Sequence, residues 1–251
     1  MGALDGKRAV ITGAGTGLGA ATATAFAVEG AVVTLVGRRE EKLRETAAAV
    51  EAVGGKAIVV AGDVALEATA NEAVAASEGV DILVNNAGIH SHPFLVHEFP
   101  VDEWDAFMAI DLKGPFLFTR AAVPSMIERG GGSVINISSM VGLVGFKYGA
   151  AYSAAKAGLI SLTRTTAIDY ASNAIRANCV CPGGMAPVER ADLDEAAYVK
   201  LNEAVALAGG SPLGRVAHVD EVAQFLLFLA GPNSQSMTGS IIPFDGGFTV
   251  K

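Results

Sequence analysis

Residues 12–19 read Thr12-Gly13-Ala14-Gly15-Thr16-Gly17-Leu18-Gly19, joining a short apolar run, Arg8 to Thr12, to an Ala-rich stretch, Gly19 to Glu29. Glycine permits a sharp turn and lets a backbone approach a bulky phosphate closely. A helix that opens after such a turn presents unpaired N–H groups and the positive end of its dipole, a favourable seat for a pyrophosphate. The spacing is G-x-x-x-G-x-G rather than G-x-G-x-x-G, and a glycine-rich turn by itself is equally a structural corner. Its position between a first strand and a first helix gives it meaning. Gly13, Gly15, Thr16, Gly17, Leu18 and Gly19 are therefore expected to cradle a dinucleotide.

Outward from that turn, strand and helix signals alternate to the end of the chain. Strands are expected at Ala31–Val36, Ala57–Val60, Asp81–Val84, Ser133–Ile137, Ile175–Val180 and Ser240–Pro243. Helices are expected at Glu40–Val53, Glu67–Glu78, one long span Val101–Arg129, Ala151–Ala171 and Asp220–Ala230. Strands separated by helices of this length specify βαβ units, and right-handed crossovers then give an α/β, doubly wound parallel sheet. No repeat or low-complexity linker divides the 251 residues, so a single domain is expected, with residues 186–210 as a lid over a binding site.

A hydrophobic fraction of 51% against 18% charged residues supplies a core buried on both sheet faces. The net charge of −8 offers nothing to a polyanion, so nucleic acid is not an expected partner. No apolar run approaches the ~20 residues of a membrane span, and the first residues lack the charge pattern of a secretory signal. Cys179 and Cys181, two apart on one strand, point to the same face at a separation awkward for a disulfide. They read as reduced packing residues of a cytoplasmic protein.

The end of the second strand chooses between cofactors. NAD binding calls for an acid about 20 residues beyond the glycine turn, to hold the ribose 2′-hydroxyl. Here the chain reads Val36-Gly37-Arg38-Arg39-Glu40-Glu41. Arg38 and Arg39 suit a 2′-phosphate, so NADP(H) is favoured and NAD(H) remains possible; the alternative is that both arginines are solvated surface charge. Asp63 at the end of strand three and the Asn85-Asn86-Ala87-Gly88 turn at the end of strand four are further candidates, unless they serve only as caps.

Tyr152 and Lys156 lie four apart on an expected helix, hence on one face. A free phenol of pKa about 10 is ionised to about one part in a thousand at pH 7, a deficit of roughly 4 kcal/mol. A neighbouring ammonium favours the phenolate and reduces that deficit. Tyr152 is thus the expected proton-transfer group, and Ser139, just past strand five, the group that holds a substrate oxygen. Pro115 removes the N–H that would bond the Asp111 carbonyl. That free carbonyl is expected either to aim into the cleft and hold a relay water for Lys156, or to mark a mere kink.

These motifs together resemble the short-chain dehydrogenase/reductase family over essentially the whole chain: TGAGTGLG at 12–19, NNAG at 85–88, Ser139, YSAAK at 152–156, PGG at 182–184 and MTGSIIPFDGG at 237–247. The resemblance implies a Rossmann-type sheet of about seven strands, a homotetramer, and hydride transfer between a nicotinamide and a ketone or secondary alcohol. It implies Tyr152 as acid/base, Lys156 on the nicotinamide ribose, Ser139 on the substrate, Arg38 as NADP selector and Met185 on the carboxamide. Val64, Asn86, Ala87, Gly88, Pro182 and Gly183 complete the expected cofactor contacts. Two departures stand out: Asp111 where the family has Asn, and Pro187 where it commonly has Thr. Substrate contacts are expected from His90, Met140, Phe146 and Tyr148. His90, His92 and His97 do not amount to a metal site. The nearest alternative is a 3-oxoacyl-thioester reductase, which would need a basic patch for an acidic carrier; an alternative of another class is a non-catalytic NADP(H)-binding regulator.

Overall fold

A computed structural model describes residues 2–89, 93–186 and 210–250. The first half runs β1 (Arg8–Thr12), α1 (Gly17–Val28), β2 (Val32–Gly37), α2 (Glu40–Ala52), β3 (Lys56–Ala61), α3 (Glu67–Ala76) and β4 (Ile82–Asn85). Then come α4 (Val101–Phe107), a π-helical segment (Met108–Lys113), α5 (Gly114–Glu128), β5 (Gly132–Ile137), α6 (Ala150–Asp169) and β6 (Ile175–Pro182). The described remainder holds β7 (Met185–Ala186), β8 (Ala217–His218), α7 (Val219–Ala230) and β9 (Ile241–Phe244).

Seven strands form one sheet in the order β3-β2-β1-β4-β5-β6-β9, with every pairing parallel. The order reverses between β1 and β4, where the connections leave toward opposite faces, so a crevice opens at their carboxyl ends. Successive strand residues point to opposite faces, yet both faces are apolar. Ile11, Leu35 and Val84 pack in one layer with Phe26 of α1 and Leu226 of α7. Val10, Val36 and Leu83 pack in the other with Phe118 and Met126 of α5. Covering helices on both sides explain why the strand sequences hardly alternate. Cys179 and Cys181 are buried free thiols on β6.

The long helix expected at Val101–Arg129 is instead three pieces. With no N–H at Pro115, the Asp111 carbonyl cannot close an ordinary helical bond, and the preceding turn widens to π geometry. Pro124, by contrast, is tolerated inside α5.

Asp81 ties the base of the sheet together. Its carboxylate accepts from the Arg8 backbone N–H at 2.9 Å and from Arg129 Nη2 at 2.8 Å, and lies 3.6 Å from Lys7 Nζ. Burial works against the charged form, but the Arg129 hydrogen bond, the Arg8 amide and the two cations outweigh it and hold the carboxyl below its ordinary value. Because the folded-state pKa is depressed, the contribution is complete above pH ~4 and is lost as pH falls through the folded pKa. Asp81→Ala is expected to cost about 2 kcal/mol in urea unfolding at pH 7, and progressively less as pH falls below about 4. A cost that stays constant as pH falls would contradict this account.

Candidate active site

The glycine turn sits at the carboxyl end of β1 because its neighbours leave no room for side chains. Gly13 has φ +65°, and a Cβ there would lie 2.8 Å from the Ala87 Cα. A Cβ on Gly19 would lie 2.7 Å from Asn86 Nδ2 and collide with the Gly13 carbonyl. Gly17, at φ +52°, has nothing within 4 Å of its Cβ position, so it faces open space. Thr16 precedes α1 without capping it, which leaves the first N–H groups of the helix turned to the cleft. This is a cradle a phosphate can enter, and the residues fit a dinucleotide.

Asn86 braces the turn. Its amide donates to the Thr12 carbonyl at 3.0 Å and the Gly13 carbonyl at 3.2 Å. The Thr12 hydroxyl in turn accepts from the Asn86 and Ala87 N–H groups at 2.9 and 3.1 Å. One residue earlier, buried Asn85 donates to Asn136 Oδ1 at 2.8 Å, and Asn136 donates to Thr163 Oγ1 at 2.9 Å. This polar chain fixes β4, β5 and α6 relative to one another inside an apolar core. Asn85 and Asn86 are thus structural braces, whatever else Asn86 contacts.

A cleft of about 1020 Å³ runs along the carboxyl edge of the sheet. Its wall includes Gly13, Gly15, Thr16, Gly17 and Leu18 from the turn, then Arg38 and Arg39, then Asp63 and Val64. Asn86, Ala87 and Gly88 line its middle, and Pro182, Gly183 and Met185 its far side. Asp63 also closes its own turn, accepting from the Ala65 N–H at 2.9 Å. Arg39 Nη2 donates to Thr16 Oγ1 at 3.4 Å, bringing the arginine pair against the glycine turn. Gly37 ends β2 with no carboxylate in the acid's place.

At the other end of the same cleft stand Ser139, Tyr152 and Lys156. Ser139 caps a short 3₁₀ turn, its hydroxyl accepting from the Val141 N–H at 3.4 Å. The Tyr152 ring packs edge-on against Phe107, with centroids 5.9 Å apart. Lys156 Nζ lies 5.5 Å from the Tyr152 ring centroid and donates to the Ile137 carbonyl at 3.0 Å. Ser138, the residue before the site serine, donates to the Lys156 carbonyl at 2.9 Å and pins α6 against β5.

The Asp111 side chain makes a contact that the sequence did not suggest. It is absent from the cleft wall and fully buried, with its carboxylate turned toward Lys156. Asp111 Oδ1 lies 2.9 Å from Lys156 Nζ, and Oδ2 accepts from the Ile89 N–H at 3.3 Å. Burial alone would depress the lysine. The Asp111 carboxylate, followed by Tyr152, outweighs it and holds Lys156 above the ordinary lysine value. Gly88 is glycine for the same reason: a Cβ there would sit 2.8 Å from Asp111 Oδ1. Gly19 likewise lies behind the cleft wall, in the packing of the turn.

Met140, Phe146 and Tyr148 line the cleft as expected. Phe248, which the sequence reading missed, joins Met140 and Val141 in an apolar wall that also touches Phe146 and Tyr152. It arrives from the chain's end on a turn held by Asp245, whose carboxylate accepts from the Gly247 and Thr249 N–H groups at 2.9 Å each. His90 and residues 187–209 of the expected lid, with Pro187, lie outside the described residues.

Sheet and cleft define a Rossmann-type dinucleotide-binding protein with a tyrosine–lysine pair at its open edge. Residues 7–197 match the model of the short chain dehydrogenase family, and the chain belongs to that family. An uncharacterised oxidoreductase, YxbG, of Bacillus subtilis is 41% identical over 98% of this chain and 92% of its own length. The trans-4-hydroxycyclohexanecarboxylate dehydrogenase of Sinomonas cyclohexanicum is 41% identical over 97% of this chain and 93% of its own. The crystal structure of carveol dehydrogenase from Mycobacterium avium in complex with NAD superposes with a TM-score of 0.90 at 26% identity, covering 100% of both chains. The protein is an oxidoreductase of a family that works on CH–OH and C=O groups. Among the described residues no helix is long and apolar enough to cross a membrane.

Proposed function

We propose that this chain exchanges a hydride between NADP(H) and a ketone/secondary-alcohol pair, with Tyr152 as acid/base. The observation that carries the reading is that Ser139, Tyr152 and Lys156 share one cleft with the glycine turn. The bound nicotinamide supplies the hydride acceptor or donor. The chain's own residues do the rest. Ser139 holds the substrate oxygen, and Tyr152 gives that oxygen a proton in reduction or takes one in oxidation. Lys156, anchored on the Ile137 carbonyl, would hold the ribose beside the phenol. Asp63, Val64, Ala87 and Gly88 would flank the adenosine and the nicotinamide ribose, and Pro182, Gly183 and Met185 the carboxamide.

The substrate end is walled by Met140, Phe146 and Phe248, with Tyr148 beside them. That apolar wall suits a compact hydrocarbon-bearing carbonyl, in keeping with the ring alcohol in the name of the Sinomonas relative. A spectrophotometric screen of cyclic and open-chain ketones and secondary alcohols, following the reduced nicotinamide, tests the reading. Absence of turnover on every member, with cofactor bound, would argue instead for the non-catalytic regulator.

NADP(H) is favoured because Arg38 and Arg39 stand where NAD binding calls for an acid. A charge-assisted contact to a 2′-phosphate contributes about 1.5–3 kcal/mol. Arg38→Ala is therefore expected to lower kcat/KM for NADP(H) by about 10- to 100-fold while changing that for NAD(H) by less than about threefold. Equal losses with both cofactors would overturn the preference.

A further inference from the structure

We propose that the Asp111 carboxylate is a positioning residue that neutralises Lys156, so that Tyr152 stays a neutral phenol through neutral pH and the site favours proton donation to a carbonyl. The inference rests on Tyr152 being the acid/base group and says which way that group is poised.

The ion pair is almost wholly buried, with only Lys156 reaching the cleft wall. Asp111 is 0% exposed and Lys156 only 3%. From the π-helical segment the carboxylate meets the ammonium at 2.9 Å. From β5 only the neutral Ile137 carbonyl reaches it. From α6 itself Tyr152 faces it, and from β6 the Cys179 thiol. The Cys179 thiol is lowered, chiefly by a hydrogen bond with Cys181, which is itself raised. The charged groups of α4, Asp102, Glu103 and Asp105, and Lys113 of the π-helical segment lie at or toward the surface. Within this pocket, then, one full negative charge opposes one full positive charge.

A lone buried ammonium would favour the phenolate strongly; an ammonium paired at 2.9 Å presents a dipole whose field falls off much faster. Asn at this position would remove the charge, and with a single oxygen it could accept from Lys156 or from the Ile89 N–H, which here use separate Asp111 oxygens. Asp111→Asn therefore removes the charge and one of these two contacts, whereas Asp111→Glu keeps a carboxylate. The expectation is a site whose phenol resists ionisation, with alcohol oxidation improving only toward alkaline pH.

Two measurements test it. In the pH profile of kcat/KM for alcohol oxidation, Asp111→Asn should move the acid limb down by about one unit, and Asp111→Glu, which retains the charge, should stay near the wild-type limb. Independently of any variant at position 111, an ultraviolet tyrosinate titration of the ligand-free wild-type protein, with Tyr152→Phe subtracted, should place Tyr152 within about one unit of a free phenol near 10. Ionisation of Tyr152 near neutrality, or an unmoved limb in folded Asp111→Asn, overturns the proposal. Undiminished turnover by Tyr152→Phe would instead remove the acid/base reading beneath it.

Discussion

Tyr152→Phe should lower kcat by about 10²- to 10⁴-fold, the usual contribution of a positioned general acid or base, and leave dinucleotide affinity within about threefold. The two halves of that expectation come from different parts of the side chain. The ring packs edge-on against Phe107 and joins the wall of Met140, Val141 and Phe248, contacts phenylalanine keeps. The hydroxyl alone can exchange a proton with a substrate oxygen. Stopped-flow turnover, alongside quenching or enhancement of reduced-nicotinamide fluorescence on binding, separates the two. A variant keeping more than a tenth of wild-type kcat would mean that another group moves the proton. One that loses binding as well would mean that the phenol was holding the cleft together.

The sheet was legible because its signals are local. Runs such as Val32–Val36 and Ile82–Val84 are short and apolar throughout, and covering both faces with helices is the arrangement that buries them. The glycine turn was legible from its place between the first strand and the first helix, although what requires Gly13 and Gly19 is their closeness to Asn86, Ala87 and the Gly13 carbonyl. Boundaries moved by a residue or two, as at α1, which starts at Gly17 because Thr16 is the last extended residue.

What escaped the sequence depends on contacts between distant segments. Pro115 signalled a disturbed helix, but the sequence offered no way to see that the turn would widen to π geometry and rotate the Asp111 carboxylate onto Lys156. The expectation followed the carbonyl, whereas the side chain makes the contact. Phe248 escaped although it follows the 237–247 motif directly, because nothing in that motif shows that the Asp245 turn brings the next side chain back to the cleft. The neutral anchor of Lys156, the Ile137 carbonyl, carries no side-chain signature at all.

Lys156→Met separates the structural cost of the buried pair from its chemistry. Methionine fills similar volume, but it leaves the Asp111 carboxylate fully buried beside the Ile89 N–H and without its ammonium. Removing one member of a buried ion pair typically costs about 3–5 kcal/mol, more than the pair contributes relative to an apolar replacement, because the remaining charge has lost its compensation. At about 2–4 °C per kcal/mol for a chain of this size, Tm should fall by on the order of 10 °C. The double variant Lys156→Met/Asp111→Leu removes both charges and should recover most of that loss in urea unfolding. Neither variant should turn over substrate at an appreciable rate, so restored stability without restored activity is the expected pattern. If Lys156→Met instead unfolds within about 1 kcal/mol of wild type, water reaches the carboxylate, and the low-dielectric pairing on which the phenol's neutrality depends does not exist.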